Sequence, residues 1–278
     1  MKSVITAAGK GSRLLPVTKE LPKEMLPIFS RLTSGKKIMM PILQLIFEDL
    51  FDNGIRNHCF IVGRSKRSIE DHFTFDSSFQ NELSKDQKKL ITSFYKKIKS
   101  SNLVWINQDE PLGFGDAVKR SESYVGTDDF IVHGGDVSIL SKSNSTISRM
   151  IKTFNANPSV SAMLLCKKIT NPKNYGVPEI TKINSSLFSV KNVEEKPTKP
   201  KSNYGLLPCY VFKPIIFKYL HKLKLGKNNE YQLTDAIQAL ISDGHEVLAI
   251  PTNSSEFELD VGNVDSYFES LNLSYKKC

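Results

Sequence analysis

Short apolar runs alternate with helix-period segments along the first 166 residues, and this alternation limits the folds open to the chain. The strand-like runs are VITAA (4–8), HCFIVG (58–63), LVWIN (103–107), FIVHGGD (130–136) and VSAMLLC (160–166). Between them lie PILQLIFEDLFDNG (41–54), with proline at its start, glycine at its end and an apolar face of Ile42, Leu45, Ile46, Phe47 and Leu50, and helical stretches at 66–73, from the loop after Gln108 to about Tyr124, and near 145–155. Residues 74–101 are polar and basic and read as one exposed helix. Strands that alternate with helices and are apolar throughout belong in a sheet covered on both sides. The expected fold is therefore α/β and Rossmann-like, a mostly parallel mixed sheet with helices on both faces.

After Lys167 the rhythm shortens. Strands are expected around 177–183, 186–193 and 206–212, then a helix over 230–243 closed by Gly244. HEVLAIP, a short strand ending in LDVG and a C-terminal helix complete the chain. There is no linker-like stretch and no repeat, and 278 residues suit a single domain over 1–278 with two halves, 1–166 and 167–278.

The segment from Gly9 to about Lys37 does not fit the alternation. AAGKGSR (7–13) is a glycine loop directly after the first strand, and glycines allow backbone N–H groups to approach a phosphate. The spacing is not that of a Walker A loop, and Leu14 stands where the dinucleotide fingerprint needs its third glycine. Pro16, Pro22 and Pro27 come too often for a long helix, so this stretch is expected to be mostly irregular, carrying Arg13, Lys19 and Lys23. Long irregular connections in compact domains are usually functional. By itself the glycine loop suits a plain strand-to-loop turn as well as a phosphate site.

Other chemistries find little support. Cys59, Cys166, Cys209 and Cys278 show no C-x-x-C spacing and read as free thiols, and the five histidines form no metal-binding pattern. Much of the net charge of +9 sits in lysine-rich runs at 85–99, which reads as solvated surface, and at 191–201, where one lysine, Lys196, carries a further expectation. RNA-recognition aromatics, a helix-turn-helix signature and zinc-finger spacing are all missing, so no nucleic-acid partner is expected. No apolar run reaches membrane-spanning length and the N-terminus lacks a signal-peptide pattern, so the expectation is a cytoplasmic protein without a membrane partner.

AAGKGSRLLPVTKELPKEMLPI (7–28), followed in order by QDEPLGFGDAV, GGD, YGV, VEEKP, NEYQLTDAI and LDVG, resembles the sugar-phosphate nucleotidyltransferases, and within them the bacterial and archaeal UTP–glucose-1-phosphate uridylyltransferases. The likeness runs from residue 1 to about 265. Ser12 stands where that family usually has threonine, and HGGD replaces the more usual apolar residues and proline before the aspartate. KEML favours the UTP branch over the thymidylyl branch, which usually reads closer to KQLL.

The resemblance implies a fold of the nucleotide-diphospho-sugar transferase type, with 1–166 as nucleotide-binding half and 167–278 as sugar-binding half plus the C-terminal helix. It also implies transfer from UTP to glucose 1-phosphate, Mg²⁺ as cofactor, and a homo-oligomer, dimer or tetramer. Arg13, Lys23 and Asp136 are then catalytic. Ala7, Ala8, Gly9, Lys10, Gly11, Ser12, Glu24, Gln108 and Gly113, with Gly115 beside it, hold the nucleotide. Gly176, Glu195 and Lys196 hold the sugar phosphate, and Asp136 with Asp260 holds the metal. Glu230 and Asp235 are expected to be structural. A dTTP enzyme, another sugar 1-phosphate or a non-catalytic nucleotide-sugar sensor are the alternatives.

Overall fold

A computed structural model describes residues 1–32, 34–78, 83–141 and 145–278. A nine-stranded sheet runs through both halves of the chain. Its strands are β1 (Lys2–Ala7), β4 (Asn57–Val62), β5 (Asn102–Asn107), β6 (Phe130–Gly134), β8 (Val160–Lys168), β9 (Gly176–Asn184), β10 (Leu187–Glu195), β11 (Tyr204–Phe212) and β12 (Glu246–Pro251). Their order is β5-β4-β1-β6-β11-β8-β12-β10-β9. The β5, β4, β1 and β6 block is parallel. β11 then enters antiparallel between β6 and β8, and β9 and β10 close the far edge as an antiparallel pair.

Alternation along β1 shows why the sheet must be covered twice. Ile5 and Ala7 point into one apolar layer, and Val4 and Ala8 into the other. The first layer is filled by α1 (Ile42–Asp52), α2 (Arg67–His72), α3 (Lys85–Lys99) and α6 (Thr146–Asn155). The second is filled by α4 (Phe114–Lys119), α5 (Glu122–Val125), α7 (Ile216–Leu220) and α8 (Leu233–Ser242). α9 (Val264–Lys277) packs beside two small ladders, β2 (Pro27–Arg31) with β3 (Lys37–Pro41), and β7 (Val137–Leu140) with β13 (Phe257–Asp260).

Three local expectations change. The basic stretch is a helix only over Lys85–Lys99, because Ser84 and Gln87 form a capping box that starts it there; residues 79–82 of the expected helix lie outside the described residues. The proline-rich segment is three short 3₁₀ turns, at 12–14, 17–19 and 23–25, and then turns into β2 at Pro27, where the missing N–H does no harm at a strand's first residue. The helix expected to reach Tyr124 is instead two, α4 and α5.

β4 and β6 flank β1 on opposite sides; the connection out of β1 leads to β4 on one side and that out of β6 leads toward β8 on the other, which opens a crevice at the carboxyl ends of β1 and β6. Functional residues of open α/β sheets gather at such a crevice, and here it is lined by Thr6, Ala8, Gly134 and Asp136.

Candidate active site

The crevice is a cleft of about 860 Å³, within the range of small-molecule sites. Every residue singled out in the sequence for catalysis, nucleotide, sugar phosphate or metal lines it except Ala7 and Gly115, the latter packed against the Tyr231 carbonyl. Ala7 is 1% exposed, and its methyl group lies in the apolar layer under β1. The strand's two-residue period turns it away from the cleft, which Ala8 faces.

The glycine loop leaves β1 and is held by Thr18, whose hydroxyl donates to the Gly11 carbonyl at 2.7 Å. Arg13 is exposed on the rim, and a methyl group placed on Gly262 would lie 3.7 Å from its guanidinium. Lys23 begins the third 3₁₀ turn and reaches across to Asp136, with Nζ to Oδ2 at 2.5 Å. Burial alone would lower the lysine's pKa, but the carboxylates of Asp136 and Glu24 outweigh it and hold it above 10.5, so its ammonium stays charged. Burial likewise pushes Asp136 up, and the Lys23 ammonium overcomes this and holds it below the usual carboxylate range.

Asp136 sits two residues past β6 rather than at the end of the strand. The next residue, Val137, pairs with Asp260 across the β7–β13 ladder, and the Val261 N–H donates to the Asp136 carbonyl at 3.0 Å. That ladder brings the two aspartates together from positions 124 residues apart in the chain. Burial raises the Asp260 pKa, and the negative charge of Asp136 raises it further. Two close carboxylates that repel each other form a donor set that a divalent cation relieves. Among the described residues no cluster of three or more acidic, histidine or cysteine groups forms a closed metal cage. The pair instead fits Mg²⁺, which takes one or two carboxylates and completes its shell with phosphate oxygens and water.

Glu24 lies deeper than expected. It is 1% exposed and bridges to Lys66, itself 7% exposed, at 2.8 Å. One carboxylate oxygen is thus engaged by a lysine that sequence reading passed over, because GRSK (63–66) resembles an ordinary turn.

On one wall of the cleft Gln108 is buried, its amide nitrogen donating to Asp116 Oδ2 at 2.8 Å and to the Gly113 carbonyl at 3.3 Å. Arg120 Nε donates to the same Asp116 oxygen at 3.0 Å. Gly113 has φ 113°, and a Cβ there would lie 2.8 Å from the Tyr231 carbonyl oxygen. Glycine is therefore required both by its conformation and by the backbone behind it. Two backbone bonds, Tyr231 N–H to Leu112 and Gly115 N–H to Tyr231, each 2.8 Å, tie this loop to the loop that precedes α8.

On the opposite wall, Gly176 and Glu195 face each other across the β9–β10 ladder. A Cβ on Gly176 would collide with Thr234 at 2.8 Å, and Thr234 donates to Glu195 Oε2 at 3.2 Å. Lys196 has φ 43°, the left-handed region. Its turn is held by Lys227, whose Nζ donates to the carbonyls of Glu195 and Lys196, each at 2.6 Å. Glu230, expected to be structural, is on the cleft wall with Tyr175 of the YGV motif and with Asn228, Tyr210 and Glu258, which lie outside the motifs.

Cations on one rim, paired carboxylates at the sheet edge and a polar pocket on the opposite wall make this an α/β enzyme built to bring two phosphorylated compounds together. The chain belongs to the Nucleotidyl transferase family, whose sequence model matches residues 2–276. It is 35% identical over 247 residues to the UTP–glucose-1-phosphate uridylyltransferase of Bacillus subtilis, covering 86% of this chain and 80% of that one. It is 28% identical over 279 residues to the enzyme of that name from Pseudomonas aeruginosa, covering 99% and 96%. Among solved structures, an apo UDP-glucose pyrophosphorylase aligns with a TM-score of 0.89 at 27% identity, covering 100% of this chain and 99% of its own. A UDP-glucose pyrophosphorylase complexed with UDP-glucose aligns with a TM-score of 0.86 at 28% identity and the same coverage.

Proposed function

We propose that this protein is a uridylyltransferase that joins UTP and glucose 1-phosphate into UDP-glucose. A phosphate oxygen of the sugar attacks the α-phosphorus, the bond from that phosphorus to the bridging oxygen of the β-phosphate breaks, and pyrophosphate carries away the electron pair. Both reactants are anions, so catalysis consists of positive charge and fixed geometry. The observation that carries this reading is the charged Lys23 ammonium anchored on Asp136 at the crevice, with Arg13 on the same rim.

In this reading Lys23 offsets charge that develops on the α-phosphoryl oxygens. Arg13, with Lys10, holds the β- and γ-phosphates through its fork of donors. The loop of Ala8, Gly9, Gly11 and Ser12 receives the triphosphate backbone, and Gln108 with the Gly113 N–H meets the base. Glu195 accepts from sugar hydroxyls beside Gly176, and Lys196 binds the sugar phosphate. Asp136 and Asp260 hold Mg²⁺, which supplies Lewis-acid neutralisation of phosphate charge when bound. Glu24, already bonded to Lys66, keeps one oxygen for the nucleoside.

The chain acts in the cytoplasm as a homo-oligomer, dimer or tetramer, with no nucleic-acid or membrane partner; among the described residues no helix is long and apolar enough to cross a membrane. The test is a grid of UTP, dTTP, CTP, GTP and ATP against several sugar 1-phosphates with Mg²⁺, read by pyrophosphate release. UTP with glucose 1-phosphate is expected to rank first. No turnover with any pair favours a nucleotide-sugar sensor instead.

A further inference from the structure

Gln108 is the one amide aimed at the base in this reading, and an amide can face a base in two ways: its oxygen accepts, or its nitrogen donates. Which way it faces decides which base it reads. Here the choice is made behind it. Asp116 is buried, and its carboxylate, charge-compensated by Arg120, can only accept. The Gln108 nitrogen must therefore turn inward, toward Asp116 Oδ2 at 2.8 Å and the Gly113 carbonyl at 3.3 Å. This leaves Oε1 toward the cleft with no donor among the described residues. The Gly113 N–H likewise has no acceptor among them.

We infer that Asp116 is a positioning residue for base selection. It locks Gln108 as a pure acceptor, and the nucleotide taken is one whose base offers a ring N–H there. This rests on the uridylyl reading above. The pairing edge of uracil carries only one donor, N3–H, so an Oε1 that touches that edge meets N3–H, and the Gly113 N–H serves a neighbouring carbonyl. In the same seat cytosine sets the N3 lone pair against Oε1. A site built around a substrate N–H rejects an analogue lacking it, because its own polar group is left unpaired. Thymine has the same edge as uracil, so Asp116 selects against cytosine and is blind to the 5-methyl group.

The test uses kcat/KM for UTP, CTP and dTTP with glucose 1-phosphate. Asp116→Leu removes the acceptor and frees the amide to turn its nitrogen outward. Its UTP-to-CTP ratio is expected to fall by roughly tenfold or more, while the UTP-to-dTTP ratio stays within about twofold of wild type. Asp116→Asn retains one acceptor oxygen for Gln108 and Arg120 and is expected to keep the wild-type UTP-to-CTP ratio. A purely structural role lowers all three nucleotides together and leaves both ratios unchanged. If the leucine variant does not fold, Asp116→Ala reads the same ratios. A wild-type enzyme that prefers CTP overturns the uridylyl reading and this inference together. A wild-type preference for UTP that Asp116→Leu leaves intact, or that Asp116→Asn abolishes equally, overturns the inference alone.

Discussion

Replacing Lys66 with methionine tests the charge arrangement under the site. The substitution keeps the aliphatic stem and removes an ammonium that lies 2.8 Å from Glu24, with both side chains almost fully buried. Coulomb attraction at that distance, with an effective dielectric of about 20, is about 6 kcal/mol. Methionine escapes the desolvation that the ammonium suffers, so the net loss at neutral pH is expected to be about 3–5 kcal/mol, the usual consequence of stranding one buried charge.

The loss carries a pH signature. Burial already raises the Glu24 pKa, and the nearby ammonium of Lys66 is the strongest influence opposing that rise. Without it the folded-state value climbs further. A carboxyl raised in the folded state favours folding below its unfolded value and loses that advantage as pH rises through the folded one. The deficit of Lys66→Met is therefore expected to be small near pH 5 and to grow toward pH 8.

Urea denaturation followed by the fluorescence of the single tryptophan, Trp105, which stacks on Phe60 at 4.5 Å, reports the half of the sheet that carries the pair. Glu24→Gln in the Lys66→Met background is expected to recover at least half of the deficit at neutral pH, because a neutral amide no longer strands a charge. A deficit below about 1 kcal/mol at every pH, as for an exposed ion pair, refutes the reasoning. So does a deficit that does not vary with pH.

Three further outcomes are expected. Lys23→Ala lowers kcat by on the order of a hundredfold or more and, because it strands the largely buried Asp136 carboxylate, also lowers the urea midpoint; steady-state pyrophosphate release and denaturation curves check both halves of the statement. Gly113→Ala puts a methyl group 2.8 Å from the Tyr231 carbonyl at a left-handed φ, and is expected to cost about 1–3 kcal/mol of stability and to raise KM for UTP, measured by denaturation and kinetics together. Lys227→Met releases the turn that carries Lys196, so KM for glucose 1-phosphate rises by roughly five- to twentyfold with KM for UTP little changed, while Lys227→Arg restores much of the loss.

What could be read from the sequence follows the range of the interactions involved. β1, β4, β6 and β8 are buried on both faces, so each is a continuous apolar run and stands out locally. β7 is different: VSIL follows Asp136 directly and has no apolar signal separate from FIVHGGD, and it exists because it pairs with Phe257–Asp260 far along the chain. That pairing also explains why Asp136 and Asp260 were legible as separate strand-end carboxylates while their meeting was implied only by resemblance. The Glu24–Lys66 bridge and the Lys227 contacts are likewise products of tertiary closure with no local periodicity. S-x-x-Q at 84–87 carries the capping-box signal that starts α3 at Lys85, well inside the polar basic stretch. Ala7 was placed in the loop by motif, although the strand's own alternation turns it into the core.

The two backbone hydrogen bonds through Tyr231 have a thermodynamic consequence. The loop of Leu112 to Gly115 and the loop before α8 are spliced through one residue, Tyr231, so in the proposed reading the base-side and sugar-side walls share a backbone contact. In the proposed reading the two substrates are therefore expected to be mutual effectors, which binding of each in the presence of the other measures. Whatever factor the nucleotide contributes to the hold on the sugar phosphate, the sugar phosphate returns to the nucleotide in equal measure, since a coupling free energy belongs to the pair and to neither partner alone.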